Sequence, residues 1–176
     1  MTGAVFGARV MLVGQAPGPR EEEADKPFAY TAGKRLFAWI ESIGVSEEEF
    51  RRRVHIAAVI RCFPGRNPDG KGDRVPAPPE IERCGAHLDH ELRLLRPGLV
   101  IAVGTLAAQA LMGQSALSQI VGKVHRAERA GVSFDVIVLP HPSGRSTWLN
   151  RPEHKALLDG SLREIASHQA FGSTFR

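Results

Sequence analysis

The chain of 176 residues is short of several things, and each shortage excludes something. Its two cysteines, Cys62 and Cys84, are too few for a disulfide framework. They are also fewer than the four ligands a zinc site or an iron–sulfur cluster usually takes, so they read as two ordinary, semi-buried thiols. No apolar run approaches the roughly 18 residues of a membrane span. The first residues lack the charged start and long apolar core of a signal peptide. A cytoplasmic protein with no membrane partner is therefore expected. His55, His87, His90 and His154 show no metal-like pairing and read as scattered surface histidines, so no metal site is expected. There is no internal repeat, no low-complexity stretch and no dividing linker, which leaves a single domain over residues 1–176.

What is present suits an ordinary core. Hydrophobic residues make up 43% of the chain, enough to cover both faces of a sheet. A net charge of +4 permits an anionic partner such as nucleic acid without requiring one. Short apolar runs at 8–13, 54–60, 99–103 and 134–139 read as buried parallel strands. Helical spacing appears at Leu36, Phe37, Ile40 and Ile43. It appears again at Ile81, Cys84, Leu88, Leu92 and Leu95 behind Pro79, then near 106–112, and at Leu157, Leu158, Leu162 and Ile165 behind Pro152. Ser46 and Glu49 form a capping box for a short helix through Arg53. Residues 123–127 suit an edge strand turning back at Gly131, and the tail after Ser167 reads as frayed. The pattern predicts a three-layer α/β/α sandwich around a central, mostly parallel four-stranded sheet.

Two loops stand out. Gly14-Gln15-Ala16-Pro17-Gly18 follows the first strand, and His141-Pro142-Ser143-Gly144-Arg145-Ser146 follows the last core strand. Ligands of an open α/β sheet bind beyond the carboxyl ends of its strands, so two such loops would frame a pocket. The first lacks the Lys-Ser/Thr ending of a phosphate-binding loop and the spacing of a dinucleotide fingerprint. A third stretch, 61–78, is rich in Pro, Gly and charge and has no periodicity; structureless loops this long are uncommon and often functional.

The segment Gly14 to Gly33, GQAPGPREEEADKPFAYTAG, resembles the first motif of the uracil-DNA glycosylase superfamily, in particular its bacterial and archaeal iron–sulfur branch. Val59-Ile60-Arg61-Cys62-Phe63-Pro64 with Arg66-Asn67-Pro68 resembles that branch's cysteine-bearing loop. The stretch from Pro79-Glu80-Ile81 through Cys84 and Leu88 resembles the helix after it, and Arg96-Pro97 through Gly104 and Ala107 its third strand. His141-Pro142-Ser143 resembles the closing motif of the superfamily. The order is kept over about residues 8–168. There are departures. The branch has two further cysteines upstream of its first motif, and none precedes Gly14 here, so no iron–sulfur cluster is expected. Gln15 stands where the motif has glutamate, and Ala58 falls where an asparagine usually reads the uracil edge.

The resemblance implies hydrolysis of the bond between deoxyribose and uracil or another deaminated base in DNA, the opening step of base excision repair, by a monomer. His141 would donate to the departing base, Gln15 would orient water, and Glu21 would lie near the sugar. Gly14, Ala16, Phe28 and Asn67 would contact the extruded base, and the small Gly18 would leave the pocket roomy. Ser143, Gly144, Arg145, Ser146 and Arg66 would meet DNA, with Arg61, Lys71 and Arg74 along the same groove. Glu22 and Glu23 read as a solvated run, and Trp148 and Asn150 as braces for the closing loop. Two other readings stay open: a weakened relative that recognises damaged or single-stranded DNA, and a flavodoxin-like nucleotide-binding domain.

Overall fold

The computed structural model describes residues 5–176 apart from Glu22, Lys71, Ser115 and Arg145. In chain order the elements are β1 (Val10–Gly14), α1 (Thr31–Glu41), α2 (Glu47–Arg53), β2 (His55–Ala58), α3 (Pro78–Leu95), β3 (Leu99–Val103), α4 (Thr105–Met112), α5 (Leu117–Ile120), β4 (Val124–Arg129), β5 (Val132–Leu139), α6 (Pro152–Ser167) and α7 (Gln169–Phe175), with a 3₁₀ turn at Trp148–Asn150 before α6. The strands form one sheet in the order β2-β1-β3-β5-β4. The four expected core strands are parallel to one another, and β4 joins as a fifth, antiparallel to β5. The β4–β5 turn has two residues, Ala130 at φ 55° and Gly131 at φ 74°, the positive pair that a tight hairpin matching strand twist demands.

Residues along each core strand alternate between two cores, yet both sides are apolar because helices cover both. Val10, Leu12, Leu99, Ile101, Ile137 and Leu139 pack on one side with α1, α2, α6 and α7 residues such as Leu36, Phe50, Leu162 and Phe171. Met11, Val13, Val100, Ala102, Val136 and Val138 pack on the other with Leu88 and Leu92 of α3 and Ala107, Ala108 and Leu111 of α4. This double cover is why the strands appear in sequence as continuous apolar runs rather than alternating ones. Among the described residues, no helix is long and apolar enough to cross a membrane.

Three expectations need correction. The tail is not frayed. His168 caps α7 by accepting the Ala170 N–H at 3.2 Å, Ala170 and Phe171 are buried, and Phe175 stacks on Phe50 with ring centroids 6.3 Å apart. The helix is too short for a visible period, so only its docking reveals it. The second strand, expected over 54–60, pairs regularly only over His55–Ala58. Val59 and Ile60 stay buried, but their N–H groups bond the Gly14 and Gln15 carbonyls instead. His55 is not a surface histidine. It is 5% exposed; its Nδ1 accepts the Val5 N–H, and its Nε2 lies 3.1 Å from Glu91 Oε1.

Ser161 ties α6 to the sheet. Its buried hydroxyl donates to the Val138 carbonyl and accepts the Gly122 N–H, both at 2.8 Å. Ser161→Ala leaves a buried donor and acceptor unmatched, so urea unfolding should show a loss of about 1–3 kcal/mol.

Candidate active site

Parallel pairing aligns the carboxyl ends of the strands. Gly14 pairs with Ala58, Val13 with Ala102, and Val103 with Leu139. The loops after β1, β2 and β5 therefore open on one edge of the sheet. The chain fills the sheet outward in opposite directions from β1 and β3, and the crevice lies at that reversal.

The glycines of the first motif make room for Phe28. A methyl group on Gly14 would sit 2.8 Å from Phe28 Cζ, and one on Gly33 would sit 1.7 Å from the Phe28 carbonyl oxygen. Phe28 itself holds a left-handed backbone at φ 55°, which costs a non-glycine residue about 1–3 kcal/mol. Arg51 holds it there, donating to the carbonyls of Pro27 at 2.7 Å and Phe28 at 3.1 Å. Arg51 is in turn fixed by Glu47 at 2.8 Å and lies 4.3 Å over the Phe37 ring. Gly14, Ala16, Glu21, Phe28 and Ala58 surround a narrow slot of about 20 Å³. It adjoins a cavity of about 350 Å³ lined by Gln15, Ala16, Pro17, Asn67, Asp73, His141 and Ser143, a size in the range of about 300–1,000 Å³ found for ligand pockets.

His141 reaches this cavity from the end of β5. Its ring rests on Gly104, where φ is 87° and a Cβ would come 3.3 Å from the imidazole. The Ser143 N–H donates to His141 Nδ1 at 3.2 Å, so the neutral ring carries its proton on Nε2 and offers that N–H as a donor. Burial holds His141 below the usual histidine range, against the opposing charge of Asp73. The Ser143 carbonyl accepts from Arg35 of α1 at 3.4 Å, which helps fix the closing loop.

Glu21 stands on the other side of the motif loop. Burial raises its carboxyl above the ordinary value, against hydrogen bonds from the Phe28 and Gly18 N–H groups and the charge of Arg51; Asp73 adds to the rise. A second hollow of about 510 Å³ lies between Glu21, Tyr30, Asp73, Ser143 and Gly144. Ser146 and Gly144 face a third hollow, of about 720 Å³, with Arg35, Trp39, Asn150 and Lys155.

The long loop is not structureless. Residues 65–70 and 72–74 pair as the two arms of a small hairpin, with Asn67 N–H to the Gly72 carbonyl and Arg74 N–H to the Gly65 carbonyl, both at 2.9 Å, and a bridge between Arg66 and Asp73. Glycines at φ 98°, 68° and 90° (Gly65, Gly70, Gly72) make the reversal possible. Two arginines expected along a DNA groove have other partners. Arg61 bonds Glu91. Arg74 grips Glu80 at the start of α3 with both nitrogens, at 2.7 and 2.8 Å, and this grip with the Ala77 N–H lowers the Glu80 pKa to about 2. Arg66 is exposed on the hairpin and does not line the three hollows. Glu22, Lys71 and Arg145 lie outside the described residues. Trp148 stacks its ring on His154 with centroids 4.0 Å apart, and His154 Nδ1 donates to the Trp148 carbonyl at 2.7 Å, contacts that join it to the start of α6.

Asp73 is the residue sequence reasoning missed. It borders both the His141 cavity and the Glu21 hollow. The turn sequence Asn67-Pro68-Asp69-Gly70 inside a loop with two further glycines, Gly65 and Gly72, was the available signal for a hairpin. As to a cluster, Cys62 is exposed, Cys84 is half-buried and both are free. Among the described residues, no three His, Cys, Asp or Glu side chains gather to hold a metal. These two thiols are half of the four that such a cluster usually takes.

Because burial raises Glu21 above its unfolded value, the charged form costs stability at neutral pH, and that cost disappears as pH falls through the raised pKa. Glu21→Gln should therefore raise the melting temperature at pH 7, with the difference closing in acid. A melting series against pH checks the sign.

The sequence matches the model of the Uracil DNA glycosylase superfamily over residues 2–162. It is 32% identical over 163 residues to a type-4 uracil-DNA glycosylase of Archaeoglobus fulgidus, covering 90% of this chain and 75% of that protein. It is 35% identical over 139 residues to a type-4 uracil-DNA glycosylase of Pyrobaculum aerophilum, covering 76% of this chain and 66% of that one. The fold is shared with the solution NMR structure of a Methanosarcina acetivorans protein described as a candidate uracil DNA glycosylase, at a TM-score of 0.53 and 11% identity over 93% of this chain and 94% of the other. With the glycine motif, Phe28 and the closing histidine set around one crevice in the family's order, the chain belongs to the uracil-DNA glycosylase superfamily, close to its type-4 branch.

Proposed function

We propose that the protein is a monofunctional DNA glycosylase that hydrolyses the N-glycosidic bond of uracil or another deaminated base in DNA, as a cytoplasmic monomer and without an iron–sulfur cluster. The observation that carries this reading is the single cavity shared by His141 and the Gln15–Ala16–Pro17 loop. The target nucleotide leaves the stack at a cost of a few kcal/mol. It enters between Phe28, Asn67 and the motif loop, where a flat aromatic face suits any base. As the bond from C1′ to nitrogen lengthens, negative charge grows on the base and positive charge on the sugar. His141 Nε2–H stabilises the first, a role typically worth about 10²- to 10³-fold. The Glu21 carboxylate stabilises the second.

Gln15 is an amide, so it orients water without accepting its proton. Ala58 lies against the slot beside Phe28 and offers no hydrogen bond to the base edge. Discrimination against bases other than uracil is therefore weaker here than in a site with an asparagine at that place. The closing loop, through Ser143, Gly144, Arg145 and Ser146, meets the DNA backbone together with Arg66.

Duplex and single-stranded oligonucleotides carrying uracil, hypoxanthine, xanthine or mismatched thymine, treated with alkali after incubation, report abasic sites as strand breaks. Scission is expected on at least one, with His141→Ala about 10²- to 10³-fold slower. No scission on any substrate overturns the proposal; binding without scission would instead favour a damage-recognition module, which Gln15 and Ala58 would suit. The rate should fall in acid as Glu21 protonates through its raised pKa, while the lowered His141 pKa keeps that ring neutral through the usual histidine range.

The purified protein should show no visible-region absorbance and no bound iron. A stoichiometric iron content would refute the cluster-free part of the reading.

A further inference from the structure

We infer that Asp73, on the hairpin over the cavity, is a second catalytic carboxylate that accepts the proton of the attacking water; the inference rests on the glycosidase reading above. Position is the first ground. Asp73 borders the cavity of Gln15 and His141 and also the hollow of Glu21 and Ser143, so it stands at their junction. A sugar linking a base near His141 to a backbone near Ser143 would pass this point.

The second ground is rigidity. Asp73 is bridged to Arg66, its carbonyl accepts the Asn67 side-chain amide at 3.3 Å, and the next residue, Arg74, is gripped by Glu80. The backbone at 73 is thus held on both sides, and the carboxylate is carried by a fixed support rather than a swinging loop.

The third ground is chemical. Glu47, Glu80, Glu91 and Asp135 are each paired with an arginine. Among the described residues, no hydrogen bond or ion pair engages the Asp73 carboxylate. An anion facing a polyanionic ligand opposes binding by repulsion, a cost that a role in the reaction would offset. Its charge reaches both proposed partners, opposing the burial that lowers His141 and adding to the burial that raises Glu21. Gln15 has no basic atom for a proton. Glu21 accepts N–H groups from Gly18 and Phe28, which orient its carboxylate toward the place proposed for the sugar even though burial raises its pKa. Asp73 supplies the function these two lack.

The step balances. The bond between C1′ and the base nitrogen breaks, and its electron pair leaves with the base, whose oxygen accepts a hydrogen bond from His141 Nε2–H. The water oxygen bonds C1′, its released proton passes to Asp73, and from there it goes to the departing base or to solvent.

The test compares wild type with Asp73→Asn, Asp73→Ala and Asp73→Glu on whichever oligonucleotide the wild type cleaves. Single-turnover rates, affinity for a duplex with a reduced abasic site, and melting temperature are all measured. Asp73→Asn should cut the rate by about 10²- to 10⁴-fold. It should bind the abasic duplex as tightly as wild type or more tightly, and melt normally. Asp73→Glu should keep part of the rate, and added formate should partly restore Asp73→Ala. A rate for Asp73→Asn within a few-fold of wild type, or a loss explained by weaker DNA binding, overturns the inference and leaves the glycosidase reading standing. A wild type inactive on every substrate removes both.

Discussion

The site depends on the register of the parallel strands. Gly14, Ala58, Val103 and Leu139 end their strands at one level because each strand pairs in step with its neighbour. Every loop that carries chemistry leaves from that level. Slipping one strand by a single residue would turn its buried side chains to the opposite core, so the apolar packing of two cores enforces the alignment. The energy that positions His141 opposite Gln15 is thus ordinary hydrophobic burial, much of it far from the crevice.

Within that frame the local constraint is steric. Phe28 occupies space that side chains at 14 and 33 would fill, and it holds a backbone conformation it would not choose. Arg51 offsets the strain with two hydrogen bonds to the carbonyls of Pro27 and Phe28, and Arg51 rests on Phe37 of the core. The chain from core to cavity is short: Phe37, Arg51, Phe28. Strain and glycine requirement meet at one side chain, as is common where a structure is shaped for a ligand.

Charge is arranged in the same spirit. Several carboxylates away from the crevice are paired with arginines, as in Arg74–Glu80 and Arg61–Glu91. At the crevice the protein keeps a neutral imidazole and places Glu21 and Asp73 near it, with no such ion pair among the described residues. Burying one carboxylate and setting a second beside the same hollow disfavours folding, and Glu21 shows it in a pKa raised mainly by burial, with Asp73 adding to the rise. The two carboxylates favour a reaction whose transition state puts positive charge between them.

The layer order, the parallel core strands and the two facing loops were legible in the sequence, because buried strands leave apolar runs and loops leave glycine and proline. The family motifs placed His141, Gln15, Ala16, Glu21, Phe28 and Asn67, and all of them line the crevice or the slot and hollow adjoining it. Docking decided the rest. The last helix has too few buried positions to show a period, His55 is buried by a partner 36 residues away at Glu91, and Arg61 and Arg74 look like free cations until Glu91 and Glu80 arrive. Asp73 is one acidic residue among several in a loop without pattern, and only closure of the hairpin turns it to the cavity. Periodicity and composition record what one segment does with water or a core; which charges meet across distant segments is set by the fold, because Coulombic and hydrogen-bond partners are chosen by distance in space.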